Sequence, residues 1–576
     1  MGNLRNISCE ERELLGQRGC YAESWDQILV SEDFCVDQLL NVRFAGSVTI
    51  ESGAKIIGSH VANYIIGEGA VIDGVERLEC RKESTFANGV EVASINENGG
   101  RKILIYDELR AQTAYIWAMY RNHTTMCDRL TKMVEEYADR HRSTIGKVGR
   151  GSKIIASKLI REVDVREAVV IEGASQIECA TLLSGSFVGV DVKLREVIVA
   201  EDARVDTGAT LERCFVGERA IVASMFSALD SLIFASSHLE NGEAASIFAG
   251  PYTVSHHKST LLIAGLFSFF NAGSASNQSN HLFKCGPVHQ AIHPRGCKFA
   301  SGAYIMAPAR EGAFTMVKGY HAKHHDTEAF PYSYLIDDGG GRSMLMPGAN
   351  LVSYGTKRDI EKWRLRDKRV RYRDVINYEE HNPYLVGAMV RAVNTLHTLS
   401  DANPDADEYM WERTVIRKSQ LRRGVGFYNK AIAAAIGAML SRGHDYGDNI
   451  EGDWADVAGA YVPMSTIKDI IFRVESGEIS SLTQIDREFA EVGARYDDLT
   501  HSWARSLLAQ LMGATPTEEQ IASTIESSKG SAEDLERQRV SDMNRDNSLN
   551  MAVGYGNDSH DEAVRESDFR AVRGLN

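Results

Sequence analysis

The sequence predicts a mainly β protein: a parallel β-helix of stacked triangular coils, interrupted by a helical insertion and followed by an α-helical domain. Three observations lead there. Aliphatic residues recur every six positions at Val165, Ile171 and Ile177, at Val199, Val205 and Leu211, and at Val216 and Val222. Gly, Ala and short polar pairs fill the steps between them, as in Glu172-Gly173-Ala174 and Thr207-Gly208-Ala209. No proline precedes Pro251 in a chain with 49 Gly and 10 Pro. A period of six fits neither a helix nor a plain alternation of two, but it fits a short strand plus a corner repeated around a triangle. One aliphatic side chain per side then points inward, and glycine supplies positive φ at the corners. Proline is kept out because it would delete a coil-to-coil hydrogen bond.

The elements follow in order. Residues 1–81 form an N-terminal segment and the first coils, with weaker repeats at Val42 and Val48 and at Ile65 and Val71. Residues 82–143 interrupt the repeat as a helical insertion, in which 107–141 reads as helix: Leu109, Ile116, Met119 and Tyr120 share a face, and Leu130, Met133, Val134 and Tyr137 follow. Residues 144–355 resume the β-helix and include a His-rich segment. Residues 356–540 form the α-helical domain. There, Ile485, Phe489, Val492, Tyr496, Leu499 and Trp503 make an apolar seam on one helix face, and Thr515-Pro516-Thr517-Glu518 reads as a capping box opening another helix. Residues 541–576 read as a flexible or partner-draped polar tail.

Composition bounds the partners. A length of 576 residues allows about three domains. The 64 basic and 79 acidic residues leave a net charge of −15, which excludes nucleic acid as the main partner. The longest apolar runs, 261–270 and 431–440, are about ten residues against the roughly 18 a membrane span needs, so no membrane insertion is expected. The first residues carry no signal-peptide core. Nine Cys, scattered singly, fit a reducing compartment, and a cytoplasmic location is expected.

Chemistry concentrates after the repeat weakens. Eight of the 17 His and six of the ten Pro lie between Pro251 and Pro347. So many polar side chains are costly in a core unless hydrogen-bonded, which predicts a polar cleft. In one reading a neutral His is a general base; His281, His321 and His324 are the candidates. Around it, Asn277, Gln278 and Asn280 orient substrate, Lys258, Arg310 and Lys323 bind anionic groups, and His256, His257 and Tyr320 complete the binding set. In the other, three imidazoles activate a metal-bound water, with His281, His321 and His325 as the candidates; a divalent metal stays open. Strand alternation would let only one of His324 and His325 face a given pocket. His289 and His293, four apart but followed by Pro294, weigh as structural. The turn 337–343 reads as a surface hairpin loop. From Lys357 to Arg373 nine basic residues face three acidic ones, suited to a phosphate, a nucleotide or coenzyme A, or simply a solvated face.

With these repeats the chain resembles the left-handed β-helix (hexapeptide-repeat) superfamily of acyl- and acetyltransferases, nucleotidyltransferase C-terminal domains and gamma-class carbonic anhydrases. The stretches Gly250-Pro251-Tyr252-Thr253-Val254-Ser255-His256-His257-Lys258-Ser259 and Gly273-Ser274-Ala275-Ser276-Asn277-Gln278-Ser279-Asn280-His281 are similar to a bacterial family often labelled UDP-N-acetylglucosamine-pyrophosphorylase-related. Nothing in residues 1–50 matches the Gly-rich nucleotidyl-transfer loop, so the similarity reaches the β-helix only. The resemblance implies left-handed winding and a homotrimer. It also implies a transferase for a sugar or sugar-nucleotide substrate, with acyl-CoA or a nucleotide as co-substrate. A metal-dependent lyase or hydrolase and a non-catalytic trimeric scaffold are the alternatives.

Overall fold

Backbone hydrogen bonds between coils, rather than within them, organise this chain. The computed structural model describes residues 3–280, 290–444, 450–551 and 561–574. Its β strands stack as a parallel solenoid in which Val165 pairs with Leu182, Leu182 with Val199, Val199 with Val216 and Val216 with Ile233. Each step is 17 residues, so the three sides are six, six and five long. That is why the six-residue series restarts: Ile177 to Leu182, Leu194 to Val199 and Leu211 to Val216 are steps of five. All eight main repeat residues point inward and are at most 1% exposed. At the weaker site the register is shifted by one residue: Ile66 and Ile72 fill the lumen, while Ile65 and Val71 are only half-buried.

The corners depart from the glycine expectation. Along one edge of the prism the left-handed residues are Glu162, Cys179, Glu196, Arg213 and Asp230, all with φ between 47° and 58°. Each such conformation costs roughly 1–2 kcal/mol, which the ladders on both sides must offset. Glycine is demanded instead by close approach: a Cβ on Gly149 would sit 2.4 Å from the Arg166 carbonyl carbon of the next coil.

That same edge carries the insertions. Glu79 and Lys147 pair with Arg161 and Asp164, on either side of Glu162, so residues 80–146 leave and re-enter at one corner. Further along, Asn277 and Ala291 pair with Leu261 and Gly265, on either side of Ala264, so the chain leaves and returns at that corner a second time. The first insertion is a hairpin, Val90–Ala93 with Lys102–Ile105, and two helices rather than one, Ala111–Met119 and Thr124–His141.

The C-terminal region closes over a second edge. Glu218, 2% exposed, accepts backbone N–H groups from Val370 (2.7 Å), Arg371 (2.6 Å) and Arg373 (3.2 Å). Gln112 of the insertion bonds the backbone of Val375, Val457 and Ala458. Fully buried Arg295 pairs with Asp456 at 2.7 Å, between the rings of Phe269 and Tyr461. The apolar seam is buried as expected, but on two helices, Leu482–Ala494 and Tyr496–Met512, joined at Arg495. The capping box lies two residues later than expected: Thr517 caps helix Glu518–Asp546 with Gln520 as its partner. The tail is not wholly irregular, because Glu562–Arg573 is a helix with Phe569 buried. No described helix is long and apolar enough to cross a membrane.

Glu218→Ala removes the shared acceptor of several backbone N–H groups and is expected to cost about 3 kcal/mol. The checks are a lower thermal midpoint and faster proteolysis within residues 367–374.

Candidate functional site

Near the end of the solenoid the inward columns change chemistry. The column of Val216 and Ile233 continues through Ala249 and Phe267 to His293 and then Glu311. The column of Leu194 and Leu211 continues through Ala228, Ala244, Leu262, Gln278 and Ile305 to His321. Polar groups thus occupy lumen positions that hold aliphatic residues earlier in the chain.

They are organised around one carboxylate. Glu311, 0% exposed, receives His293 Nδ1–H at 2.5 Å and His325 Nε2–H at 2.9 Å. Burial would raise its carboxyl, but the hydrogen bonds of the two imidazoles, with their charge when protonated, overcome burial and hold it down to about 2. These bonds fix both tautomers and leave His293 Nε2 and His325 Nδ1 buried with no hydrogen-bond partner among the described residues. His321 stands apart: Nδ1 accepts from Ser343 Oγ at 2.8 Å and Nε2 faces the Lys318 carbonyl at 3.3 Å. Burial, followed by the neighbouring His325, pushes His321 down to about 4.

Two cavities on the insertion-bearing edge meet this cluster. One, of about 400 Å³, is lined by Gln290, Arg310, His324, His325, Glu412 and Arg413 among others. The last two come from the tip of the hairpin Glu408–Trp411/Thr414–Arg417, whose Trp411 donates to the Asp326 carbonyl. The other, of about 330 Å³, lies between the insertion, the solenoid and the C-terminal region and includes Tyr115, Arg310, Glu311 and Tyr384. Arg310, paired with Asp326 (2.6 Å) and Glu328 (2.8 Å), borders both.

The sequence-predicted residues separate into several places. His324 and His325 both line the first cavity, because the strand ends at His321 and alternation no longer applies. His321 and Gln278 face the lumen, and neither amide atom of Gln278 has a described partner. Asn277 is half-buried and Asn280 buried. His257, Lys258 and Lys323 are exposed, and Tyr320 is exposed with its ring stacked on Tyr304. His256 lines a separate basic cleft, described below. His281 and His289 lie outside the described residues. Of the expected metal trio, His321 and His325 have rings 6.1 Å apart, and both His321 nitrogens are already engaged. Residues 337–343 form the turn of hairpin Tyr334–Asp337/Ser343–Met346.

Sequence reading missed Glu311 altogether and set His293 aside. Glu311 lies 18 residues from His293 and 14 from His325, so no local motif joins them. The signal was the column register, obscured because the paired Phe267 and His293 are 26 residues apart rather than 17.

The basic run divides. Lys357 pairs with Glu536, Arg364 with Glu379, Arg369 with Asp367 and Arg373 with Glu201. Lys362, Arg366 and Lys368 instead converge with Arg219 and Lys298 on a cleft of about 380 Å³ over the solenoid's second edge.

The chain is therefore a parallel β-solenoid with a buried imidazole–carboxylate cluster at its C-terminal coils. By comparison with known families it belongs to the family described as a domain of unknown function (DUF4954), matched over residues 51–400. A second family, also described as a domain of unknown function (DUF6819), matches residues 435–576. Neither is a hexapeptide-repeat or pyrophosphorylase family. An uncharacterized protein of Treponema pallidum (strain Nichols) is 22% identical over 593 residues, spanning 87% of this chain and 81% of that relative.

His321 has a pH signature. An unfolded imidazole takes its proton near 6.5 and the folded one only near 4, so the unfolded state binds more protons in between. Its contribution is complete above pH 6.5 and is lost as the pH falls toward 4, by about 3 kcal/mol. Thermal midpoints of the native chain are expected to fall more steeply across that window than those of His321→Asn.

Proposed function

We propose that this chain is a transferase of hexapeptide-repeat type, wound left-handed, acting on a sugar or sugar-nucleotide acceptor with His325 as general base. The observation that carries the reading is Glu311, a buried carboxylate that holds His325 by Nε2 and leaves Nδ1 without a described partner in a residue that lines the cavity. Such a pair takes the proton of an attacking hydroxyl or amine, and the carboxylate stabilises the imidazolium that results. The bond from the acceptor oxygen or nitrogen to the transferred group forms as the donor's bond breaks, and the imidazolium returns the proton to the leaving group. His293 acts through Glu311 as a positioning residue. Arg310 and Arg413 offer guanidinium donors to hydroxyl or phosphate oxygens. Acyl-CoA or an activated nucleotide is the co-substrate class in this reading.

A reducing, cytoplasmic setting fits the eight described cysteines, all free. Self-association, as a trimer, would use the third edge of the prism, where Val190 and Met225 are 54% and 78% exposed. Light scattering of the native chain and of Met225→Lys tests it, the variant being expected to dissociate.

The chemistry is tested by product assays over acyl-CoA, acyl-carrier-protein and sugar-nucleotide panels. His325→Gln is expected to lower turnover by about 10²–10⁴-fold with the fold intact. No turnover on any panel, or an unchanged rate in His325→Gln, would sink the reading.

A further inference from the structure

Strand His238–Glu240 places His238 and Glu240 two residues apart, on the outward side of the solenoid, with Leu239 between them in the lumen at 0% exposure. Val254 and Ser255 pair with His238 and Leu239 on the next coil, which brings His256 beside Glu240. His238 Nε2 lies 3.3 Å from one Glu240 oxygen and His256 Nδ1 lies 3.6 Å from the other. One ligand atom from each of the three falls within 4.8 Å of the others, and no other such group of three occurs among the described residues.

Ordinary ion pairing does not account for this geometry. His238 Nε2 is buried and makes no hydrogen bond among the described residues despite the carboxylate beside it. An orphaned buried nitrogen is costly, and a metal ion would satisfy it. Two metal–ligand bonds of about 2.0–2.2 Å span up to roughly 4.4 Å, so the 3.3 and 3.6 Å contacts are within reach of one ion. Two imidazoles and a carboxylate on one side leave the remaining coordination positions open, a donor set suited to a divalent first-row transition metal.

The open side has its own chemistry. His238 and His256 line the cleft into which Arg219, Lys298, Lys362, Arg366 and Lys368 converge. Asp359 neutralises Lys298, but no salt bridge among the described residues engages Arg219, Lys362, Arg366 or Lys368. Burial and the neighbouring cations Arg366, Arg358 and Lys298 push the Lys362 ammonium down, partly offset by Asp359. Such crowding of like charge in a chain of net charge −15 is relieved by a multivalent anion.

We propose that His238, Glu240 and His256 form a divalent transition-metal site, and that the bound metal, together with the Lys362–Arg366 cation cluster, takes a phosphate-bearing anion. The site lies on a different edge from Glu311 and does not rest on the transferase reading.

The test uses the full-length, tag-free chain stripped with chelator and titrated with Co²⁺ while the visible spectrum and calorimetry are recorded. One equivalent of Co²⁺ is expected to bind. His238→Ala, Glu240→Gln and His256→Ala should each weaken binding at least about tenfold. His257→Ala, one residue away but exposed, should not. Inorganic pyrophosphate added to the Co²⁺-loaded chain should change the cobalt spectrum, and Lys362→Ala/Arg366→Ala should weaken that effect while leaving Co²⁺ affinity intact. Less than about 0.1 equivalent of Co²⁺, or binding unchanged in Glu240→Gln with a native thermal midpoint, overturns the metal site. A spectrum indifferent to pyrophosphate overturns its anion partner.

Discussion

Everything in this molecule depends on the coil-to-coil hydrogen-bond register. Because the strand ladders run from each coil to its neighbours, a position and its counterpart 17 residues on occupy the same place in the prism, inward or outward. The lumen admits one side chain per position, so its filling is decided column by column. Corners turn in left-handed conformations even where no glycine is present, since the ladders on both sides of each turn fix the chain. The outer faces obey the same register: Glu79, Arg161 and Glu178 stack on successive coils and pair at 3.0 and 2.8 Å.

That register explains how much of the structure the sequence revealed. Val165, Ile171 and Ile177 disclosed the coil because their six-residue spacing is local, whereas the five-residue side appeared only as a break in the series. Asp107 to His141 was legible as helical, but not its break near Asn122, since apolar residues continue on both sides of the junction. His324 and His325 were legible as site residues by their density. Glu311 was not, because its partners are fixed by coil stacking between residues 14 and 18 apart in the chain. His256 was singled out for its neighbourhood, while His238 and Glu240, one coil earlier, sit inside an ordinary-looking strand. The basic run was ambiguous for a physical reason: alternate members serve structure and cleft, and only the docking of residues 367–373 on Glu218 sorts them.

The prism's three edges divide the work. One carries the inserted segments and both cavities that meet Glu311. The second receives the C-terminal region through Glu218 and through the Tyr252–Tyr378 hydroxyl contact at 3.0 Å, and so gains a basic cleft. The third exposes Val190 and Met225. An insertion can leave a solenoid only at a corner, where it breaks no ladder, and this concentrates added chemistry along edges. The C-terminal region then completes what the edges begin, lending Glu412 and Arg413 to one cavity and Lys362 and Arg366 to the cleft.

The buried cluster argues for function by comparison within the same chain. Val216 and Ile233 show that aliphatic residues fill the His293–Glu311 column without polar groups, and Leu194 and Leu211 do so for the His321 column. An ionised carboxylate in that position carries a desolvation penalty that an aliphatic side chain does not, and here two imidazoles are enlisted to overcome it. The substitution of charge for aliphatic packing occurs where the wall is shared with cavities. His325 Nδ1 and His293 Nε2 remain without described partners even there, which a purely structural network would not leave. A polar cluster that keeps unpartnered ring nitrogens and borders a cavity is what the transferase proposal builds on, since the coil alone does not require it.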